Sequence, residues 1–155
     1  MRRVRAVAIV LHDDKVLIMQ RDKFGHKYNT FPGGGVEPGE TVEQAVVREI
    51  AEETTLQITV ERLLYEHHYA DDGDQYYYLC KYVSGDPKLA PSSEEFAEHG
   101  TGDLYEPAWL DINDLSTTLL YPLEIRDWLI RDLRSGFLPQ VRSASLKLGD
   151  LRQSL

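Results

Sequence analysis

The segment Phe31–Leu56, FPGGGVEPGETVEQAVVREIAEETTL, constrains this chain more than any other. Three successive glycines lead into Pro38-Gly39, which is turn chemistry, and then into a helix whose start is marked. Thr41 has N-cap chemistry and Gln44 lies three residues on, the spacing of a capping box. The pattern predicts a helix over residues 42–54. Each helical residue turns by about 100°. With Val42 at zero, Val46, Ile50, Val47 and Ala51 fall between roughly 40° and 180°, the expected buried arc. Glu52, Glu49 and Glu53 fall at roughly 280°, 340° and 20°. Three carboxylates therefore share one side of the helix end, with Glu53 in line with the buried valines.

A carboxylate at the edge of an apolar arc is costly without compensation, and three of them within reach of one another repel. A hard divalent cation such as Mg²⁺ or Mn²⁺ relieves both problems, since it takes oxygen ligands. Arg48, next to Glu49 and one turn before Glu52, is placed to hold a carboxylate. Gly33-Gly34-Gly35 lets the backbone approach a ligand, with carbonyls for a metal and N–H groups for phosphate oxygens. The competing reading is a merely solvated acidic helix. It would leave the glycines, the cap and the inward Glu53 as separate coincidences.

The rest of the chain supplies a frame. Val4–Leu11 and Val16–Met19 read as strands joined by a turn at His12–Lys15, and residues 22–30 as a polar loop. Ile58–Tyr65 and Tyr76–Val83 read as a further pair, with Asp72-Gly73 as the hairpin signal. Residues 84–103 read as a long polar loop, Tyr105–Leu110 as a short strand, and Pro122–Ser135 as a helix closed by Gly136. Ile125, Trp128, Leu129 and Leu133 line one face of that helix. Strands and helices in this order favour an α+β arrangement, a mixed sheet with helices packed on it. The 155 residues fit a single domain, read as 1–136, with a tail over 137–155 that is either a frayed end or an element packing on a second subunit. His67-His68 read as surface or substrate-edge residues, because neighbours on a strand point to opposite faces. Trp109, Trp128 and Cys80 read as core.

With 26 acidic and 17 basic residues the net charge is −9, which argues against a nucleic-acid polymer or an anionic membrane as partner. It does not argue against a small anionic ligand once a cation is bound. Cys80 is the only cysteine, so no intrachain disulfide forms, consistent with a reducing cytoplasm. The opening MRRVRAVAIVLHDDK has too short an apolar run for a signal peptide and reads as a strand.

The segment 34–56 resembles the Nudix box, G-x5-E-x7-R-E-U-x-E-E-x-G-U, where U is bulky and apolar. Gly34, Glu40, Arg48, Glu49, Ile50, Glu52, Glu53 and Leu56 match eight of its nine fixed positions, and Thr55 replaces the late glycine. The run EQAVVRE is similar to MutT-type pyrophosphohydrolases. The resemblance implies a Nudix α/β/α sandwich and Mg²⁺- or Mn²⁺-dependent hydrolysis of a diphosphate linkage in a nucleotide or nucleoside diphosphate derivative. It also implies that Glu49, Glu52, Glu53 and the Gly34 carbonyl bind metal, that Arg48 and Glu40 orient the cluster, and that Arg21 contacts phosphate. Phe31 would lie near a base, and Gly33 and Gly35 near the substrate. The general base is Glu49 or one of Glu94, Glu95 and Glu98. A small-molecule nucleotide is the implied partner and a homodimer a common assembly. The alternative is a Nudix-fold sensor that binds nucleotides or nucleotide sugars without hydrolysing them. A family glycine just past a helix marks a left-handed position, where Thr55 is expected to cost on the order of 1–2 kcal/mol.

Overall fold

Two aspartates shape the first turn. Asp13 and Asp14 both have positive φ, 48° and 60°, which is the two-residue turn whose twist suits a hairpin. It joins β1 (Val4–His12) to β2 (Lys15–Lys23). The computed structural model describes residues 2–88 and 103–147. The expected polar loop at 22–30 is instead a second hairpin, with β3 (His26–Thr30) antiparallel to β2. Its turn is Phe24-Gly25, again with positive φ at both residues. A phenylalanine at such a position is uncommon, and so the sequence hides this hairpin behind polar flanks.

β1 and β2 pair only next to their turn, Leu11 with Val16 and His12 with Lys15. Beyond that point they part. β1 takes β4 (Gly33–Gly35) as an antiparallel partner, while β2 runs between β3 and β7 (Asp103–Asp111). On its other side β1 pairs parallel with β6 (Gly73–Ser84), which pairs antiparallel with β5 (Gln57–Tyr69). A two-residue strand β8 (Leu120–Tyr121) adds to β3. The region 137–155 contributes β9 (Arg142–Leu146), which lies parallel to β5 at the end of the sheet. A parallel pairing this distant in sequence leaves no local signal.

Strand alternation then splits β1 between two cores. Ala6, Ala8 and Val10 pack with Ala45, Val46 and Ile50 of α1 (Val42–Thr54). Val7 and Ile9 pack with Ile125 and Leu129 of α2 (Leu123–Ser135). A mixed sheet between two helices is the α/β/α sandwich predicted from the sequence. Pro122 stands at the N-cap of α2 rather than inside it, and Gly136, at φ 92°, closes it.

Trp109 and Trp128 are partly buried against these cores, and Cys80 is buried, with its thiol pushed up to about 12 by burial. His67 is not a surface residue. It is buried among Tyr69, Tyr77 and Trp128, while His68 points to the other face between Asp74 and Glu66. Alternation predicted the opposite directions; the depth comes from α2, which covers the His67 face. Thr55 adopts the left-handed conformation, φ 64°, and its N–H closes α1 onto the Ala51 carbonyl. Its hydroxyl donates to the Asp86 carbonyl at 2.9 Å.

Candidate active site

The wedge between β1 and β2 is a cavity of about 530 Å³. β4 forms one wall, the end of α1 the next, and β2 with β7 the third. Local chemistry sets up each wall. The capping box holds the start of α1 as predicted, Thr41 Oγ1 accepting from the Gln44 amide at 3.1 Å and Gln44 Oε1 from the Thr41 amide at 2.9 Å. The buried stripe of α1 is rotated from the expected arc. Ala45, Val46, Ile50, Glu53 and Thr54 are buried, whereas Val47 is exposed. Glu53 thus sits within the buried stripe rather than at its edge, only 6% exposed. The β4 backbone meets it there, the Gly33 N–H donating to the Glu53 carboxylate.

The glycines are fitted closely. A Cβ on Gly33 would come within 2.3 Å of the Ala6 carbonyl oxygen, and one on Gly34 within 2.3 Å of the Glu49 carboxyl carbon. Their backbone directions follow from the ladder. Ala8 N–H donates to the Pro32 carbonyl and Val36 N–H to the Val4 carbonyl. Antiparallel pairs alternate, so residues 32, 34 and 36 turn towards β1, and Gly33 and Gly35 turn away from it. The outward groups are engaged accordingly. Gly33 N–H donates to Glu53 Oε2 at 3.3 Å, the Gly33 carbonyl accepts from Arg5 at 3.4 Å, and the Gly35 carbonyl accepts from Arg48 at 2.9 Å. The Gly34 carbonyl, expected from the sequence as a metal ligand, faces the ladder. The outward carbonyls are those of Gly33, whose N–H meets Glu53, and of Gly35.

Arg48 organises the acids. Its Nε donates to Glu40 at 2.7 Å, Nη2 to the same carboxylate at 2.9 Å, and Nη1 to Glu49 at 2.9 Å and Glu52 at 3.3 Å. This bidentate contact holds the Glu40 carboxyl at about 2, well below the usual range, helped by the Glu37 amide. The same partners raise the Arg48 guanidinium further above its ordinary value.

Glu49, Glu52 and Glu53 all line the cavity. Among the described residues, however, no three His, Cys, Asp or Glu side chains are arranged as a ready metal centre. Arg48 engages Glu49 and Glu52, and the Gly33 amide engages Glu53. The donors themselves, carboxylates beside an outward carbonyl, are those a hard divalent cation takes. Arg21 lines the opposite wall, its guanidinium 3.6 Å from the centre of the Tyr105 ring and 5.4 Å from that of Tyr28. Phe31 reaches the cavity but is 3% exposed, packed edge-on to Tyr77 in the α2-side core. Glu94, Glu95 and Glu98 lie outside the described residues.

Sequence reasoning did not single out Arg5 or Tyr105, which also line the cavity. Arg5 sits in the alternating RVRAV start of β1, where spacing alone gives no hint that β2 will diverge and open that strand to a cavity.

A mixed sheet between helices, with a glycine strand and an arginine-clamped acidic helix end facing one polar cavity, defines the α+β class of this chain. The chain belongs to the Nudix family: the NUDIX domain profile matches residues 1–131. It is 35% identical over 115 residues to "Putative nudix hydrolase 1" of Caenorhabditis elegans, covering 71% of this chain and 29% of that one. It is 31% identical over 131 residues to "Putative mutator protein MutT4" of Mycobacterium tuberculosis, covering 77% of this chain and 49% of that one. The chain thus spans less than half the length of these relatives. A NUDIX hydrolase structure from Nitrosomonas europaea superposes with a TM-score of 0.71 at 18% identity, over 94% of this chain and 79% of that one, a likeness of fold.

Proposed function

We propose that this chain hydrolyses a diphosphate linkage in a nucleotide or nucleoside diphosphate derivative, with Mg²⁺ or Mn²⁺ as cofactor. The observation that carries the reading is the Arg48 fork. One guanidinium fixes Glu40, Glu49, Glu52 and the Gly35 carbonyl beside the buried Glu53, on the wall of a polar cavity. Nothing in a solvated helix requires that arrangement.

Glu49, Glu52, Glu53 and the Gly33 carbonyl are the groups that would hold the cation. When bound, such a cation neutralises phosphate oxygens and lowers the pKa of water. The protein's own share is positioning. Arg48 and Glu40 keep the carboxylates in register, the Gly33 amide orients Glu53, and Arg21, backed by Tyr105, presents a cation to the substrate's phosphate. A carboxylate then takes the proton from the attacking water, either Glu49 or one of Glu94, Glu95 and Glu98. The reading extends to a small-molecule substrate, a cytoplasmic setting and a homodimer, the last to be tested by light scattering. Among the described residues no helix is long and apolar enough to cross a membrane.

The deciding experiment is hydrolysis of a panel with each metal: nucleoside triphosphates including 8-oxo-dGTP, ADP-ribose, nucleotide sugars and dinucleoside polyphosphates, with products separated by chromatography. Release of a nucleoside monophosphate, lost in Glu53→Gln, supports the proposal. If no compound is cleaved while one still raises the melting temperature, the protein is a sensor.

A further inference from the structure

Three arginines line the cavity, and they are not equivalent. Arg48 is spent on carboxylates of its own wall. Arg21 lies over the Tyr105 ring. Arg5 is partly buried, and among the described residues it makes no ion pair, although the chain carries 26 acids. Its hydrogen bond runs to the Gly33 carbonyl at 3.4 Å, the outer limit for such a contact. A partly buried guanidinium held by one long bond to a neutral oxygen is poorly compensated. An arginine in that state is suited to bidentate contact with phosphate oxygens.

We infer that Arg5 is a substrate-binding residue that grips a phosphoryl group of the diphosphate at the β4 end of the cavity. Arg21 takes the opposite end, from β2. The inference rests on the diphosphate reading above and adds to it. The two cations face one cavity from strands that have parted, an arrangement that suits an anion with more than one phosphoryl group. When Arg5 turns to phosphate, it also releases the Gly33 carbonyl, which lies beside Glu53 through the same residue's amide. Substrate and cation should therefore favour each other's binding.

The test uses binding, so that it survives a failure of the hydrolysis assay. Calorimetric titration of the full chain with the non-hydrolysable methylene analogue of ADP, in Mg²⁺, is compared between wild type, Arg5→Gln and Arg5→Lys. A second titration uses AMP. Loss of a charged hydrogen-bond pair should weaken the analogue roughly tenfold to a hundredfold in Arg5→Gln, with Arg5→Lys between, and AMP nearly unchanged. Circular dichroism and the melting temperature confirm that the variants fold. If Arg5→Gln folds and its affinity for the analogue stays within twofold, Arg5 is only a strut for β4 and the inference fails. An equal loss for AMP would also overturn it, since the contact would then not be to the second phosphate. If the analogue binds normally by this test but no substrate is ever cleaved, the hydrolysis reading fails and Arg5 stands.

Discussion

Arg48 and Glu40 stand eight residues apart in sequence and are joined by two hydrogen bonds, 2.7 and 2.9 Å long, across the turn that leads into α1. That contact ties the start of the glycine–helix segment to the acids at its end. Replacing Glu40 with Gln should release one side of the fork, costing roughly 1–3 kcal/mol of stability near neutral pH and lowering turnover. The sign with pH is fixed. The Glu40 carboxyl is depressed to about 2 in the fold, so its contribution is present above the ordinary carboxylate value and fades as the pH falls from there towards 2. Urea unfolding from pH 7 to pH 3 should show a shallower acid loss in Glu40→Gln than in wild type.

Glu53 is a buried acid inside an apolar stripe. Gln in its place keeps an oxygen to accept from the Gly33 amide and removes the charge. The variant should fold with an equal or higher melting temperature and lose roughly a hundredfold or more in turnover. A variant that melts far below wild type would show that Glu53 serves the fold.

Two neighbouring glycines should fail differently. Ala at Gly33 drives a Cβ into the Ala6 carbonyl, a rigid backbone atom, and should cost on the order of 1–3 kcal/mol. Ala at Gly34 first meets the Glu49 carboxylate, the end of a side chain that can swing aside by giving up its bond to Arg48. Gly34→Ala should therefore stay folded and lose activity. Melting curves and turnover measured side by side separate the two.

Thr55→Gly removes a β-branched residue from a left-handed cap. Partly offset by the lost bond to Asp86, the exchange should stabilise by about 1 kcal/mol and raise Tm by roughly 2–4 °C at this chain length. Turnover should not change. A lower Tm would mean that the hydroxyl outweighs the strain.

Two adjacent histidines should pull stability in opposite directions with pH. Burial lowers the His67 pKa against the counteracting pull of Glu124, so its neutral form belongs to the fold. Stability is lost as the pH falls through 6.5, where the unfolded chain takes up the proton. Asp74 and then Glu66 raise that of His68, whose contribution is full below 6.5 and lost as the pH rises through the higher folded value. Relative to wild type, His67→Phe should gain stability at pH 5.5 over pH 7.5, and His68→Gln the reverse. Denaturation midpoints at the two pH values read this directly.

What the sequence made legible was local. Thr41, Gln44 and the spacing of the glutamates defined α1, its cap and its acidic end, and the missing glycine at Thr55 announced a left-handed residue. What it hid was set by partners far along the chain. The Phe24-Gly25 hairpin has an unusual turn residue, and β9 has its partner more than seventy residues away. The depth of His67 depends on α2 and the direction of the Gly34 carbonyl on strand register. Arg5 enters the site only because β1 and β2 separate, a fact of tertiary pairing that no window of sequence contains.

The glycine strand β4 gives the cavity a wall made of peptide groups and no side chains. Such a surface has nothing to exchange. A side chain at Gly33 or Gly34 adds bulk against Ala6 or Glu49, and only Gly35 faces open space. Redesign of what the cavity accepts can therefore start from the facing strands, β2 and β7, where Arg21 and Tyr105 can be replaced with the α1 carboxylates left untouched. The groups proposed to meet the substrate from β2 and β7 and the carboxylates proposed to hold the cation thus stand on different elements of one opening, and a designer can vary the first while inheriting the second.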